Sequence, residues 1–338
     1  ERLDDAQLRG RYYFWLAHTH TYLGNADPAE THARTAQEAA QAAGDEVTEG
    51  QAAYVLGREG FWSGRFLEGA EASKRAVILL ERNGVPWWQG QAHWVAAFNH
   101  FALGGFPDAF EAIERARAMG EALADPRLDP AWSIGYFYAH LGDGDTGVRY
   151  GEEAVANAQD PLNAAVALGF LGYAQLQRGD VGAAIDNLER ASSQMADSGM
   201  RQISSWFDVF LAEAYAEADR GAQAQTRAAK GLSVAEAAHF VYGIALAERT
   251  LGRLATDAGE RDAAAARLTS AAERFTALQM PYEQAMTDLV WVRLHDADGA
   301  RDAARDAWQR ARERFAALQV PALEARTEAL GQQLGLAS

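Results

Sequence analysis

The chain has 338 residues, of which 49% are hydrophobic, so it is long enough to bury a sizeable core. Its net charge is −16, and its only lysines are Lys74 and Lys230. An acidic surface repels a phosphate backbone, and the sequence contains no basic run to offset this repulsion. Direct nucleic-acid binding is therefore not expected. The absence of cysteine excludes disulfides and thiolate metal sites, and no apolar run approaches the roughly 20 residues needed to cross a bilayer, so a cytoplasmic location is predicted.

The first predicted helix contains the sequence RYYFWLAHTHTYLG, from Arg11 to Gly24. Its two histidines, His18 and His20, lie about 200° apart around a helix axis, so they cannot bind one metal ion together. The aromatic run from Tyr12 to Trp15 makes the helix apolar on all sides, which a solvent-facing end of a helical array should avoid. The run therefore predicts that an upstream domain of the same chain, or a second copy, packs against this helix.

Glycines recur after helix-like apolar runs at steps of 37 to 40 residues, with Asp219 standing in the one gap. The series is Gly24, Gly64, Gly104, Gly142, Gly179, Gly259 and Gly299. Five positions after each of these marks, and again seven residues later, every residue is alanine or glycine. Seven residues are two helical turns, so both small residues lie on one face, where another helix can pack closely. The spacing predicts a repeated unit of helix A, a tight turn at the glycine, and helix B.

Eight such units tile the chain without a linker, which predicts an all-α fold in which residues 1–338 form a single α-α superhelix. The predicted units span 10–45, 46–86, 87–125, 126–160, 161–200, 201–240, 241–280 and 281–320, and a capping helix follows at 321–335. The eight prolines support this division, because each falls in a turn, between units or in the first turn of a helix.

Unit four contains GDGDTG, from Gly142 to Gly147, which matches the dinucleotide-binding pattern G-x-G-x-x-G. That pattern binds pyrophosphate where a strand precedes it, whereas a predicted helix precedes it here. Asp143 and Asp145 lack the bidentate acid that a calcium-binding loop would need. Because the sequence also contains no Walker-type loop, H-E-x-x-H or G-x-S-x-G motif, we predict no catalytic residues, no metal site and no cofactor, and a protein that is not an enzyme.

The repeat columns resemble the tetratricopeptide repeat (TPR). The segments LGYAQLQRGDVGAAIDNLERA (Leu171 to Ala191) and LGRLATDAGERDAAAARLTSA (Leu251 to Ala271) have its leucine-glycine pair, turn glycine and two alanines in order. The unit of about 40 residues is longer than the family's roughly 34. Long units of this kind look like the C-terminal TPR regions of bacterial MalT-type regulators and of class III nucleotidyl cyclase/ATPase proteins.

In the repeat family, five positions of helix A line the concave inner surface, and carrying them over gives a groove that is aromatic in units one to six and charged in the last two. The candidate ligand- or peptide-binding residues are Arg11, Phe14, His18, Tyr22, Tyr54, Arg58, Trp62, Trp94, Phe98, Trp132, Tyr136, Tyr173 and Trp206. Rigid aromatic surfaces with interspersed arginines suit an amphipathic peptide, a sugar or the sibling domain of the same chain. An alternative is that these bulky residues only fill a tightly wound superhelix.

These features predict a non-catalytic protein–protein interaction and regulatory module within a larger bacterial signalling or transcription-regulatory protein. Its predicted partner is a protein, a peptide or an upstream domain of the same chain, with a homodimer through the N-terminal helix as a further possibility and without direct contact to nucleic acid or membrane. A partner in the groove is expected to change the superhelix pitch and so bias an attached effector. The alternatives are a small-molecule, sugar-like sensor domain and an enzyme with its site inside the superhelix.

Overall fold

The computed structural model describes residues 5–337, in which seventeen α-helices and one 3₁₀ helix form a repeated helical array without strands. Helix A of the eight units spans, in order, Ala6–Tyr22 (α1), Glu46–Trp62 (α3), Pro86–Ala102 (α5), Ala131–His140 (α7), Pro161–Arg178 (α9), Arg201–Glu217 (α11), Val241–Asp257 (α13) and Pro281–Ala297 (α15). Helix B spans Ala26–Ala43 (α2), Phe66–Arg82 (α4), Phe106–Leu123 (α6), Gly144–Asn157 (α8), Val181–Ser198 (α10), Gly221–Ala237 (α12), Arg261–Ala277 (α14) and Arg301–Ala317 (α16). The capping helix α17 spans Pro321–Gln333. The predicted all-α superhelix of about eight helix pairs is thus confirmed, while residues 1–4 and 338 of its predicted range lie outside the described residues.

The turns between helix A and helix B adopt the left-handed backbone conformation. The seven turn glycines have φ between 70° and 97°. Asp219, which occupies the gap in the glycine series, has a φ of 56°. Side chains disfavour this conformation, and aspartate is among the residues that tolerate it best, so the same turn forms there without glycine. All eight turns therefore end helix A in the same way.

The small residues of the repeat lie where helix A and helix B of one unit meet. In unit four, a Cβ atom added to Gly135 of α7 would lie 2.8 Å from the backbone oxygen of Gly147 in α8. A Cβ atom added to Gly147 would lie 2.7 Å from the Cβ of Ala139. The two backbones therefore approach more closely than larger side chains would permit, which explains why the two helix B columns contain only alanine and glycine.

We expect Gly135→Ala to lower the free energy of unfolding, because the added methyl group must push α7 and α8 apart. Overpacking of this kind costs about 1–3 kcal/mol. Gly182→Ala is the matched control, because Gly182 lies in α10 with open space around its Cβ position. Both variants gain helix propensity when glycine becomes alanine, and only Gly135→Ala also overpacks. Urea denaturation of both variants measures the difference, and equal stabilities would show that the close approach is unimportant.

Unit four departs from the regular repeat. Its helix A, α7, has 10 residues, and the 3₁₀ helix Pro126–Leu128 lies where the first turns of a longer helix would be. Pro130 stands directly before α7, and prolines disfavour helical conformation in the residue that precedes them. Residues 127–130 of this segment line the cavity described below.

Successive coils of the superhelix are in contact, because the A–B turns of the first four units lie against units six to eight and the capping helix. A Cβ atom added to Gly64 would lie 2.4 Å from Leu278, and one added to Gly104 would lie 2.6 Å from Leu318. Gly142 meets the capping helix in the same way, at 3.2 Å from the Cβ of Ala322. The later turn glycines, Gly179, Gly259 and Gly299, have no such neighbour. One turn of the superhelix therefore packs directly on the next.

Candidate ligand-binding cavity

An aromatic partition divides the interior of the superhelix. The partition consists of Tyr136, His140, Trp206, Tyr242 and Tyr282, with only about 10 Å³ of free space among them. The ring centroid of Trp206 lies 5.4 Å from that of Tyr136 and 5.6 Å from that of Tyr242. On one side, units one to six enclose a cavity of about 340 Å³, here the aromatic cavity. On the other, units four to eight and α17 enclose a cavity of about 360 Å³, here the charged cavity.

The inner faces of helix A form the wall of the aromatic cavity. In α3, Arg58 and Trp62 lie four residues apart, as do Trp94 and Phe98 in α5, and this spacing places both side chains of a pair on one helix face. Trp132 of α7 continues the wall, with its ring centroid 5.8 Å from that of Trp94 and 5.6 Å from that of Phe98. Rings packed at these distances form a rigid apolar surface.

More than half of the candidate residues from the sequence line this cavity. These are Tyr22, Arg58, Trp62, Trp94, Phe98, Trp132 and Trp206. Tyr136 lies in the partition, and Tyr173 lines the charged cavity instead. The structure thus brings seven of the candidates together around one space.

The remaining four candidates lie outside the cavity. Phe14 and Tyr54 are fully buried behind its wall, and Arg11 is exposed and pairs with Asp45 at 3.2 Å. His18 is half-buried among aromatic rings, with its own ring centroid 5.0 Å from that of Tyr22. Unit one contributes so little because only the C-terminal end of α1 reaches the cavity.

Other lining residues were not among these candidates, although Phe61 and Gln91 occupy groove positions of helix A carried over from the repeat family. They are Phe61, Trp87, Gly90, Gln91, Val95, Arg127, Leu128, Asp129, Pro130, Asp160, Leu162, Asn163, Val166, Phe170, Met200 and Ile203. Several belong to the irregular segment before α7 or to the start of α9, where the columns of the repeat do not apply. The only sequence signal for them is the shortened glycine spacing on either side of Gly142.

Arg58 is a buried cation without a carboxylate partner among the described residues. Its side chain lines the cavity and is only 7% exposed. The guanidinium carbon lies 4.3 Å from the ring centroid of Tyr22 and 5.9 Å from that of Trp94. Its Nη1 donates a long hydrogen bond of 3.4 Å to the Tyr54 hydroxyl, and its Nε is buried without an acceptor. Ring faces attract a guanidinium but satisfy none of its N–H groups in the way an anion would.

The other charged residues around the cavity all have partners. Arg127 pairs with Asp125 at 2.6 Å. Asp160 caps α9 by accepting from the backbone N–H groups of Leu162 and Asn163, each at 2.9 Å. Asp129 similarly accepts from the backbone N–H of Ala131 and from Asn157. Among the described residues that line this cavity, Arg58 is therefore the charged group that forms neither an ion pair nor a hydrogen bond shorter than 3.4 Å.

Two further buried polar groups lie at or beside the cavity. Trp206 is 2% exposed, lines the cavity, and its indole N–H has no acceptor. Burial, together with the smaller effect of the Arg58 guanidinium, lowers the pKa of His18 to about 4. His18 is thus neutral at neutral pH and adds no positive charge beside Arg58.

The charged cavity ends at a buried ion cluster in the partition. Glu283 of α15 pairs with Arg249 of α13, accepts a hydrogen bond from the Tyr242 hydroxyl at 2.7 Å, and lies 3.3 Å from His140 Nε2. Burial alone would raise the pKa of Glu283, but the Arg249 guanidinium and the hydrogen bonds from His140 and Tyr242 lower it to about 2. The cluster joins unit four to units seven and eight, and it leaves no unbalanced charge.

Within residues 5–337, no group of three or more histidine or acidic side chains has the geometry to hold a metal ion. None of the described helices combines the length and the apolar character needed to cross a membrane.

No protein-family model and no curated protein matches the chain. Solved structures do match it in three dimensions. A Rap protein in complex with competence and sporulation factor has a TM-score of 0.63 at 12% identity, covering 99% of this chain and 99% of that chain. A signal transduction ATPase with a tetratricopeptide repeat sensor, from Pyrococcus horikoshii, has a TM-score of 0.52 at 12% identity, covering 78% of this chain and 42% of that chain. A tetratricopeptide repeat protein from Parabacteroides merdae has a TM-score of 0.50 at 13% identity, covering 85% of this chain and 99% of that chain.

At these identities the likeness establishes the fold and nothing further. The repeated helix pairs, the left-handed turns and the matching solved structures agree with one another. The chain has the all-α superhelical fold of tetratricopeptide-repeat proteins.

Proposed function

We propose that this protein is a non-catalytic interaction and regulatory module that binds a peptide or a small molecule in its aromatic cavity. The proposal rests on the cavity itself, whose volume of about 340 Å³ falls within the range of about 300–1,000 Å³ typical of ligand pockets. Rings that only filled the superhelix would leave no such space and no unpartnered Arg58 beside it. Binding there orders a ligand between rigid aromatic surfaces at little entropic cost.

The structural neighbours support a sensing role without establishing it. One of them is a protein in complex with competence and sporulation factor, and another is a signal transduction ATPase with a tetratricopeptide repeat sensor. In this chain, a ligand in the aromatic cavity contacts units one to six, and the partition links those units to seven and eight. A bound ligand changes how closely successive turns of the superhelix pack on each other, and this change biases an attached effector.

The wider setting of this proposal is a cytoplasmic bacterial signalling or transcription-regulatory protein that makes no direct contact with nucleic acid. Leu8, Tyr12 and Trp15 on α1, and Leu23 directly after it, are each more than half exposed, which supports the prediction that something covers this helix. An upstream domain of the same chain is the leading candidate, and a second copy forming a homodimer is the other.

A sugar-like small molecule is the second candidate ligand. The faces of Trp94 and Trp132 at the cavity wall favour it, because aromatic rings stack on the apolar faces of sugars. A neutral sugar, however, would leave the Arg58 charge without a counter-ion, so we place it after a ligand that supplies one.

Affinity capture from a host lysate, followed by mass spectrometry of both proteins and small molecules, tests the function. We expect the wild type to retain a ligand that a Trp94→Ala/Trp132→Ala variant loses. Trp291→Ala is the matched control. Trp291 is a partly buried residue of α15 that packs near Trp308, and it does not line the aromatic cavity. Circular dichroism confirms that each variant folds. Identical capture by all three proteins would contradict the proposal and identify the aromatic residues as core packing.

A further inference from the structure

We infer that the ligand of the aromatic cavity carries a single carboxylate, attached to an apolar or aromatic body, and that Arg58 binds this carboxylate. The inference rests on the proposed function and specifies its ligand. Three features of the cavity lead to it: a buried cation without an ion-pair partner, walls that are largely aromatic, and a strongly acidic protein around them.

The first step concerns the cost of the Arg58 charge. Arginine stays protonated in proteins, so burial cannot neutralise Arg58. A buried charge that lacks a partner destabilises the fold. The Tyr22 and Trp94 rings and the Tyr54 hydroxyl offset only part of this cost, and the Nε–H remains without an acceptor. Such an arrangement is typical of a binding site, where the ligand supplies the missing partner.

The second step excludes a counter-ion from the chain. Glu59 is the carboxyl group next to Arg58 in sequence, but it hydrogen-bonds with Thr21 and does not line the cavity. Asp129 and Asp160, which do line it, accept hydrogen bonds from their own helix termini. Within residues 5–337, therefore, no carboxylate pairs with the Arg58 guanidinium.

The third step concerns the kind of anion. A planar guanidinium pairs in bidentate fashion with a planar carboxylate. A phosphate ester carries close to two negative charges at neutral pH, and this cavity offers one unpaired cation inside a protein of net charge −16. One carboxylate is therefore the anion that the charge of the site favours.

The fourth step concerns the rest of the ligand. Beyond Arg58, the aromatic part of the cavity wall includes Trp62, Trp94, Phe98, Trp132 and the ring of Trp206, whose indole N–H has no acceptor among the described residues. These surfaces take an aromatic or aliphatic group and one acceptor such as a carbonyl oxygen. Both a small arylalkanoic acid and the C-terminal residue of a peptide have this chemistry.

Isothermal titration calorimetry with matched acid and amide probes tests the inference and separates the two sources. The small probes are 3-phenylpropanoate and 3-phenylpropanamide. The peptide probes are acetyl-Ala-Ala-Phe with a free carboxylate and the same peptide as its C-terminal amide. We expect at least one acid to bind the wild type about tenfold or more tightly than its amide. This preference is the affinity gain that a charge-assisted pair of hydrogen bonds gives. Selective binding of the peptide acid identifies a peptide C-terminus, and comparable binding of the small acid identifies an organic acid.

Arg58→Gln should abolish the preference for the acid over the amide. Arg11→Gln is the matched control, because Arg11 occupies the same kind of repeat position but is exposed and lies outside the cavity. Thermal unfolding of Arg58→Gln checks the fold, and we expect its midpoint to be no lower than that of the wild type, since the substitution removes an unpaired buried charge.

Several results would overturn the inference. These are equal binding of acid and amide, a preference that survives Arg58→Gln, tighter binding of phenyl phosphate than of the acids, and no binding of either acid. Equal binding of acid and amide that is lost in Trp94→Ala would leave the proposed function standing and refute only the role of Arg58. Absence of binding, together with identical capture by the tryptophan variants, would refute both.

Discussion

Glu283→Ala is expected to lower the free energy of unfolding by about 3–5 kcal/mol and to expand the molecule. The substitution leaves the buried Arg249 without its carboxylate and removes the acceptor of the Tyr242 hydroxyl. Breaking a buried ion pair by deleting one partner has an effect of this size because the remaining charge is uncompensated. Since the cluster joins unit four to units seven and eight, its loss also weakens the contact between superhelical turns.

Chemical denaturation measures the stability change, and small-angle X-ray scattering measures the radius of gyration. Glu111→Ala is the matched control, because Glu111 forms an exposed pair with Arg115 on one helix, and such pairs contribute less than about 1 kcal/mol. If Glu283→Ala changes stability and radius of gyration no more than this control does, the cluster does not hold the superhelical turns together. The lowered pKa adds a pH signature: Glu283 stabilises the fold fully above about pH 4.5 and loses this contribution as the pH falls towards 2.

The stability of the wild type relative to Glu59→Gln should fall by about 3 kcal/mol between pH 4.5 and pH 7. Glu59 is 3% exposed, and this burial raises its pKa to about 7, with Arg58 and Arg65 opposing the shift and Glu30 adding to it. A carboxyl group whose pKa is higher in the folded than in the unfolded chain favours folding when protonated. Its contribution is complete below about pH 4.5 and is lost as the pH rises through 7.

Glutamine preserves the shape of Glu59 and its hydrogen bond with Thr21 but does not titrate. The comparison must be a difference between the two proteins, because His18 has the opposite effect: its lowered pKa makes the fold more stable as the pH rises from 4 to 6.5. Urea denaturation of both proteins at pH 5 and pH 8 gives this difference. Parallel pH profiles for wild type and Glu59→Gln would contradict the assigned burial of the charge.

The elements that the sequence predicts correctly depend on local rules. A turn that needs positive φ selects glycine, and a face where two backbones meet selects glycine or alanine, so both appear as columns. Asp219 shows that the rule is conformational, because a different residue takes the same backbone angles in the same place.

The cavity was harder to predict, because it depends on contacts between distant units. Arg11 and Arg58 occupy groove positions in successive units, yet one is exposed and the other buried. The difference arises from the surrounding segments. Trp94 lies near the guanidinium of Arg58, whereas Arg11 lies on the first helix and is exposed to solvent. The pitch that brings unit four against unit eight is the sum of small rotations between helices, and no short sequence pattern encodes it.

The stacking of one superhelical turn on the next also determines how this chain folds. In an open helical array each repeat contacts only its neighbours, so folding can begin anywhere and spread by local steps. Here the Tyr282 hydroxyl donates to the backbone oxygen of His140, 142 residues away in sequence, and Gln202 reaches the turn at Gly24 across 178 residues. Contacts this remote raise the relative contact order, which slows folding and makes the two ends of the chain acquire structure together.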